Sequence, residues 1–122
     1  LIFPDMQFCR DGGMSAATML GLSAVRRTPV SELIAALPKF TMYQEKRKTS
    51  RAKEIVDHMR EFFKDCPVDD RDGIRITKGG AWALIRPSGT EPPVRVYTES
   101  PDAAEAKEML DTILAEMNPY LS

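Results

Sequence analysis

The sequence predicts an α+β fold, in which a two-layer domain carries two helices on one face of an antiparallel sheet and follows a short helical segment. Two observations predict the sheet and its helices. From residue 40 onward, strand-like segments alternate with two segments whose apolar residues recur at helical spacing. Turn signals at Asp72–Gly73 and Lys78–Gly79–Gly80 lie close to consecutive strands, which favours antiparallel pairing. A third observation, the helical pattern of residues 1–38, sets that segment apart.

Two helices are predicted in the first segment. The stretch 11–27 is rich in Ala, Leu and Met, with Asp11 as its N-cap and a basic pair suited to the negative end of the helix dipole. A second helix is predicted over 28–38, with Thr28 as its N-cap and Pro29 at the first helical position.

We expect these helices to belong to another domain. Their mostly apolar composition requires a larger body to pack against, and the chain opens with Leu1 rather than Met. The predicted domains are therefore 1–39, the helical tail of a preceding domain with its linker, and 40–122, with the boundary near Lys39.

The second domain is predicted to run strand, helix, three strands, helix. Strands are expected at 40–48, 73–77, 81–86 and 93–99, and helices at 51–65, capped by Ser50, and from Ser100–Pro101–Asp102 to about Met117. The apolar faces of the two helices are formed by Ala52, Ile55, Val56, Met59, Phe62 and Phe63 and by Ala103, Ala106, Leu110, Ile113, Leu114 and Met117.

Composition excludes several classes of function. The chain has 122 residues and a formal net charge of −1, so its overall charge does not attract nucleic acid or an anionic membrane. No apolar run approaches the roughly 20 residues that span a bilayer. With only two cysteines, Cys9 and Cys66, and one histidine, His58, a disulfide scaffold, a catalytic triad and a three-histidine metal site are not expected. We expect reduced thiols and a cytoplasmic protein.

The segment with the clearest chemistry is "RPSGTEPPVRVY" (86–97). Arg86 and Arg95 bracket a loop stiffened by prolines, and both guanidinium groups are predicted at its mouth. Ser88, Gly89 and Thr90 offer backbone N–H groups and two hydroxyls, and glycine permits close backbone approach. Two arginines grip phosphate oxygens in bidentate fashion. On these grounds alone, the loop is equally well a rigid turn whose arginines pair with Glu91 and Glu99.

This segment resembles the phosphate-binding loop in the C-terminal domain of the α-D-phosphohexomutases, which include phosphoglucomutase, phosphomannomutase and phosphoglucosamine mutase. The match covers Arg86 to Pro92 and Arg95, and the order of elements over 40–122 is similar, including "DGIRI" (72–76). Residues 1–38 resemble the end of the preceding domain. The resemblance implies the family's TATA-binding-protein-like C-terminal fold.

The resemblance also implies a function. In that family a phosphoserine with bound Mg²⁺ passes its phosphoryl group to a hexose phosphate, and the resulting bisphosphate returns its other phosphate. The C-terminal domain holds the phosphate that is not transferred. By carry-over, Arg86, Ser88, Gly89, Thr90 and Arg95 contact that phosphate and Glu91 shapes the loop.

The family's other active-site loops have no counterpart here: the serine loop (Thr-Ala-Ser-His-Asn-Pro), the metal loop (Asp-Gly-Asp-x-Asp-Arg) and the sugar loop (Gly-Glu-x-Ser-Gly). The stretch "DDRDG" (69–73) lacks the metal-loop spacing and is predicted to be a turn before a strand. We therefore expect no catalytic residue, no metal ligand and no cofactor in this chain. The Mg²⁺ of the parent enzyme is expected in another domain, and this chain alone is expected to be inactive. Its expected partners are a hexose phosphate and the other domains of the parent mutase, with neither nucleic acid nor membrane.

Two other functions are alternatives. Residues 39–60 carry seven basic and three acidic side chains, which raises nucleic-acid binding, but no aromatic residues interleave with the basic run as stacking platforms would. The other alternative is a non-catalytic structural or anion-binding module. Trp82 and Tyr97 are predicted as core or sheet-face residues rather than sugar platforms.

Overall fold

The computed structural model of the chain describes residues 2–88 and 93–121. The chain divides after Pro38 into two compact units. None of the described helices is both long enough and apolar enough to cross a membrane.

The first unit is not helical throughout. It opens with two short antiparallel strands, β1 (Ile2–Phe3) and β2 (Gln7–Arg10), ahead of the helices α1 (Gly12–Arg26) and α2 (Val30–Ala35). Asp11 caps α1 as predicted, since its side chain accepts a 2.8 Å hydrogen bond from the Met14 N–H. The predicted cap of α2 is wrong. Pro29, not Thr28, is the N-cap, and the Thr28 hydroxyl donates instead to the Arg26 carbonyl.

The second unit has the predicted order of elements with two short additions, a strand and a final 3₁₀ turn. Its elements are β3 (Thr41–Lys48), α3 (Ala52–Phe62), β4 (Val68–Asp69), β5 (Ile74–Lys78), β6 (Ala81–Pro87), β7 (Pro93–Ser100), α4 (Ala103–Met117) and a 3₁₀ turn (Asn118–Tyr120). The unpredicted β4 is only two residues long, too short to show a strand period. These strands form one antiparallel sheet in the order β3-β7-β6-β5-β4.

Both helices of this unit cover the same face of the sheet. The helix α4 packs on β7, β3 and β6, and α3 packs on β5 and β6. The core between the layers is apolar and is formed by Ile55, Met59, Phe63, Ile74, Ile76, Ala81, Ala83, Ile85, Val94, Val96, Met109, Leu110, Ile113 and Met117. The predicted α+β architecture is confirmed.

One of the two predicted caps in this unit is wrong and the other is confirmed. Ser50 does not cap α3, because Arg51 is the N-cap and its N–H donates to the Thr49 hydroxyl. Asp102 caps α4 as predicted, accepting a 2.8 Å hydrogen bond from the Ala104 N–H. Ser100 supports this start, since its hydroxyl accepts from the Asp102 N–H.

Strand alternation gives the sheet a second face, which neither α3 nor α4 covers. In β7, buried Val94, Val96 and Thr98 point into the core, so Arg95, Tyr97 and Glu99 point the other way. We call this second surface the open face. Trp82 lies on it, and its indole N–H donates to Glu99 at 3.0 Å.

Candidate functional site

The two arginines singled out in the sequence lie side by side on the open face. Arg86 and Arg95 are cross-strand partners near the ends of β6 and β7, where the two strands enter the loop. Directly opposed residues on neighbouring strands have Cβ atoms about 4.5–5.5 Å apart. The two arginine side chains therefore start from neighbouring positions at the mouth of the loop.

The loop closes tightly at its base. Pro87 pairs with Val94, and the Ser88 N–H donates a 3.0 Å hydrogen bond to the Pro93 carbonyl. Since that bond occupies the Ser88 N–H, its hydroxyl is the group that remains for a ligand. Gly89, Thr90 and Glu91, the other three predicted site residues, lie outside the described residues.

The arginines do not form the pair with Glu99 that a rigid turn would require. Arg86 Nε lies 3.0 Å from Asp72 Oδ1, and Glu99 is engaged by Trp82. Within residues 2–88 and 93–121, the Arg95 side chain makes no ion pair. Among the described residues neither arginine pairs with Glu99, and the other half of that alternative, a pair with Glu91, lies outside the described residues.

Asp72 reaches Arg86 because of the glycine that follows it. Gly73 has φ +80°, and a Cβ added there would lie 2.4 Å from the Ile85 carbonyl oxygen and 3.0 Å from the Arg86 Cα. Only glycine permits so close an approach of backbone to backbone at this φ. The stretch 69–73 starts at the last residue of β4 and leads into β5, consistent with the predicted turn before a strand, and it also brings a carboxylate to Arg86.

A third cation extends the arginine pair across the sheet. Lys46 of β3 is the cross-strand partner of Arg95, so Lys46, Arg95 and Arg86 form one row on the open face. We call these three residues the cationic row. Sequence analysis missed Lys46 and Asp72, although the pairing of β3 with β7 and the alternation of β3 would have identified Lys46.

Other charged side chains near the β4–β5 connection interact with close neighbours rather than with the cationic row. Arg71 donates hydrogen bonds to Asp69 through its side chain and its backbone N–H, and these lower the pKa of Asp69 to about 2. Arg75 stacks on the Trp82 ring, 5.1 Å from its centroid. In the part of the chain that the structure describes, no group of three or more His, Cys, Asp or Glu side chains is arranged to hold a metal ion.

His58 lies away from this chemistry, in the helical layer. Its Nε2 is 2.8 Å from Glu116 Oε2, and its ring packs beside Phe62 and Tyr120. The interpretation of His58 as a packing residue is consistent with these contacts. Both cysteines are free thiols.

The family profile described as "Phosphoglucomutase/phosphomannomutase, C-terminal domain" matches residues 42–116. The chain belongs to this family. The matched region contains the cationic row, the loop and Asp72, so the resemblance seen in the loop extends over most of the second unit.

Named relatives agree with this assignment. The chain is 34% identical over 116 residues to the probable phosphoglucosamine mutase of Methanopyrus kandleri, covering 90% of this chain and 25% of that protein. It is 36% identical over 114 residues to the phosphoglucomutase/phosphomannomutase of Thermococcus kodakarensis, covering 91% and 25%. The chain therefore spans about a quarter of the length of the curated relatives it matches.

A solved structure shows the same fold. A phosphoglucomutase/phosphomannomutase family protein from Burkholderia thailandensis superposes with a TM-score of 0.73 at 23% identity, over 97% of this chain and 26% of that chain. The phosphohexomutase C-terminal fold expected from the sequence is confirmed.

Proposed function

We propose that the second unit is the phosphate clamp of a phosphohexomutase, which holds the non-transferred phosphate of a hexose phosphate while the parent enzyme moves a phosphoryl group between the 1- and 6-positions through a bisphosphate. The observation that carries this proposal is the cross-strand pairing of Arg86 with Arg95 at the mouth of the loop. Like charges directly opposed on neighbouring strands destabilise a sheet. A bound phosphate would offset that repulsion.

The chemistry of the site suits a group that is held rather than transformed. Two guanidinium groups form charge-assisted, bidentate hydrogen bonds with phosphate oxygens, and the Ser88 hydroxyl adds a neutral donor. Such a site recognises the phosphate and leaves the sugar free to present either end to the reacting centre. Ser88, Gly89, Thr90 and Glu91 complete the proposed site with Arg86 and Arg95.

The groups that carry out the rest of the reaction are proposed to belong to other domains of a longer protein. We assign residues 1–39 to the tail of a preceding domain and its linker, and 40–122 to the C-terminal domain. The phosphoserine, the Mg²⁺ and the sugar-reading loop would come from other domains, in the cytoplasm, and the chain by itself would show no mutase activity.

Binding of glucose 1-phosphate, measured by titration calorimetry on the whole chain, tests the clamp. Charge-assisted hydrogen bonds contribute about 1.5–3 kcal/mol each, so Arg95→Met is expected to weaken binding by roughly 10- to 100-fold. Arg60→Met is the matched control, because Arg60 lies on α3 in the helical layer and pairs with Asp57 and Asp70 rather than with a residue of the clamp. Equal affinities of the wild-type, Arg95→Met and Arg60→Met chains would contradict the proposal and favour a structural module.

A further inference from the structure

We infer that a cavity beside the clamp, lined in part by Asp72, Arg75 and Leu84, is a subsite for the sugar ring of the hexose phosphate whose phosphate the arginines hold. This inference rests on the proposed function, because the subsite is occupied by a ligand that Arg86 and Arg95 already bind. The subsite adds affinity for a polyhydroxylated ring and leaves the choice between epimers to other parts of the enzyme.

The surface next to Arg86 is concave. The cavity has a volume of about 280 Å³ and is lined by Asp69, Arg71, Asp72, Arg75 and Leu84. It adjoins the clamp, because Asp72 lines the cavity and also contacts Arg86 Nε through Oδ1 at 3.0 Å. Leu84 lies two residues before Arg86 on β6, so both side chains point to the open face and their Cα atoms are about 6.6–6.8 Å apart. A hexose phosphate bound at the arginines therefore has its ring within reach of the cavity.

Arg75 brings hydrogen-bond donors to this cavity. Its guanidinium carbon lies 5.1 Å from the centroid of the Trp82 ring, and this contact holds the side chain in place without using its five N–H donors. Among residues 2–88 and 93–121, the Arg75 side chain donates no hydrogen bond. Asp69 is its partner across β4 and β5, but the pKa of that carboxyl is lowered chiefly by hydrogen bonds from Arg71, and Arg75 adds only the effect of its charge. The donors of Arg75 are thus left for a ligand.

Asp72 and Leu84 supply the other two kinds of contact that a sugar ring makes. Since Asp72 meets Arg86 through Oδ1, its Oδ2 can accept a hydrogen bond from a hydroxyl. Half-buried Leu84 offers an apolar surface to the C–H groups of the ring. Sugar hydroxyls both donate and accept, so a pair of neighbouring hydroxyls can bridge Asp72 and Arg75. Because such pairs occur toward both ends of a hexose, this contact accepts the ring in either orientation.

The test compares glucose 1-phosphate with methyl phosphate, a monoester without a sugar, by amide NMR titration of the whole chain, whose spectra also establish that each variant is folded. Because a hydrogen bond at an exposed site contributes modestly, Arg75→Met is expected to weaken glucose 1-phosphate binding about three- to tenfold and methyl phosphate binding by less than about twofold. Loss of a positive charge alone would weaken both monoesters by the same factor, so the ratio of the two affinities isolates the sugar contact. Arg60→Met, which removes the same charge in the helical layer, should leave this ratio unchanged.

A second readout needs no substitution. In the wild-type chain, the amides of Arg75 and Leu84 should shift with glucose 1-phosphate and stay in place with methyl phosphate. If both ligands shift them equally, or if Arg75→Met leaves the ratio of the two affinities unchanged while Arg95→Met weakens methyl phosphate binding, the subsite is refuted and the clamp stands. If Arg95→Met binds methyl phosphate as tightly as the wild type does, the clamp itself is refuted, and the subsite with it.

Discussion

The two ends of β6 are built in opposite ways. At its start, the turn Gly79–Gly80 is held by hydrogen bonds to Glu105 of α4, and we call this the fastened end. The Gly80 N–H donates to Glu105 Oε1 at 2.9 Å, and the Ser100 hydroxyl donates to Glu105 Oε2 at 2.7 Å. At its other end, Arg86 faces a second arginine and has Asp72 beside it. Among the described residues, one end uses its polar groups in internal bonds, whereas the other brings two arginines to one carboxylate. In a small sheet of this kind, the end that gathers like charges is the candidate for function.

The largest expected effect comes from the glycine at the charged end. Gly73→Ala places a Cβ at φ +80°, within 2.4 Å of a backbone oxygen, and neither strand can move without breaking the β5–β6 ladder. Left-handed backbone and overpacking together cost about 2–4 kcal/mol. Urea unfolding measures the loss of stability.

Gly80→Ala is the matched control at the fastened end. The Cβ there would meet only the Glu105 carboxylate, the far end of a flexible side chain, so the expected loss is at most about 1 kcal/mol. If Gly73→Ala and Gly80→Ala had the same unfolding free energy, the backbone at Gly73 would be able to accept a side chain, which would contradict the close approach to Arg86.

The next largest loss of stability is expected from Glu105→Ala, at the fastened end. Glu105→Ala removes the acceptor of two hydrogen bonds and is expected to cost about 1.5–3 kcal/mol of unfolding free energy. Glucose 1-phosphate affinity should remain unchanged, because the turn lies at the other end of β6. Glu108→Ala, one helical turn along and exposed, should change stability by less than about 0.5 kcal/mol. Weaker ligand binding in Glu105→Ala would contradict the separation of the two ends.

A smaller effect is expected inside the core. Buried Thr98 donates a 2.9 Å hydrogen bond to the Ala106 carbonyl, which ties β7 to α4. Thr98→Val keeps the volume and removes the hydroxyl, for an expected loss of about 1 kcal/mol. Thr112→Val, which removes an exposed hydroxyl bonded within α4, is the control. Thermal unfolding that ranks the two variants equally would contradict this role of Thr98.

The smallest effect depends on pH. Arg71 lowers the pKa of Asp69 from 3.8 to about 2, so the folded state favours the carboxylate. The resulting stabilisation is present above about pH 4 and is lost as the pH falls through the folded value. Because solvent reaches both side chains, we expect the wild type to be only slightly more stable than Asp69→Asn at neutral pH. This difference in unfolding free energy should disappear as the pH falls toward 2. A difference that does not change between pH 6 and pH 2 would contradict the assignment.

The strands of the second unit were predictable from the sequence because turn glycines and alternation mark their ends. The strand β4 was not predictable in this way, because it is only two residues long. Two helix caps were also misplaced, since Arg51 and Pro29 are the N-caps where a simple cap preference favours the neighbouring Ser50 and Thr28. At the site, the arginines followed from the loop itself. Asp72 could not be predicted as a site residue, because its position depends on the backbone conformation at Gly73. Lys46 could not be predicted either, because its position depends on the pairing of β3 with β7, two strands that are distant in sequence.

An amide NMR titration of the whole chain with glucose 1-phosphate tests the central claim most directly. We expect the amides of Arg86, Ser88 and Arg95 to shift together and saturate. The amides of Lys78, Gly79 and Gly80, at the fastened end, should stay unchanged. Equal shifts at both ends, or none at the arginine end up to tens of millimolar ligand (on the order of 2–3 kcal/mol of binding free energy), would contradict it.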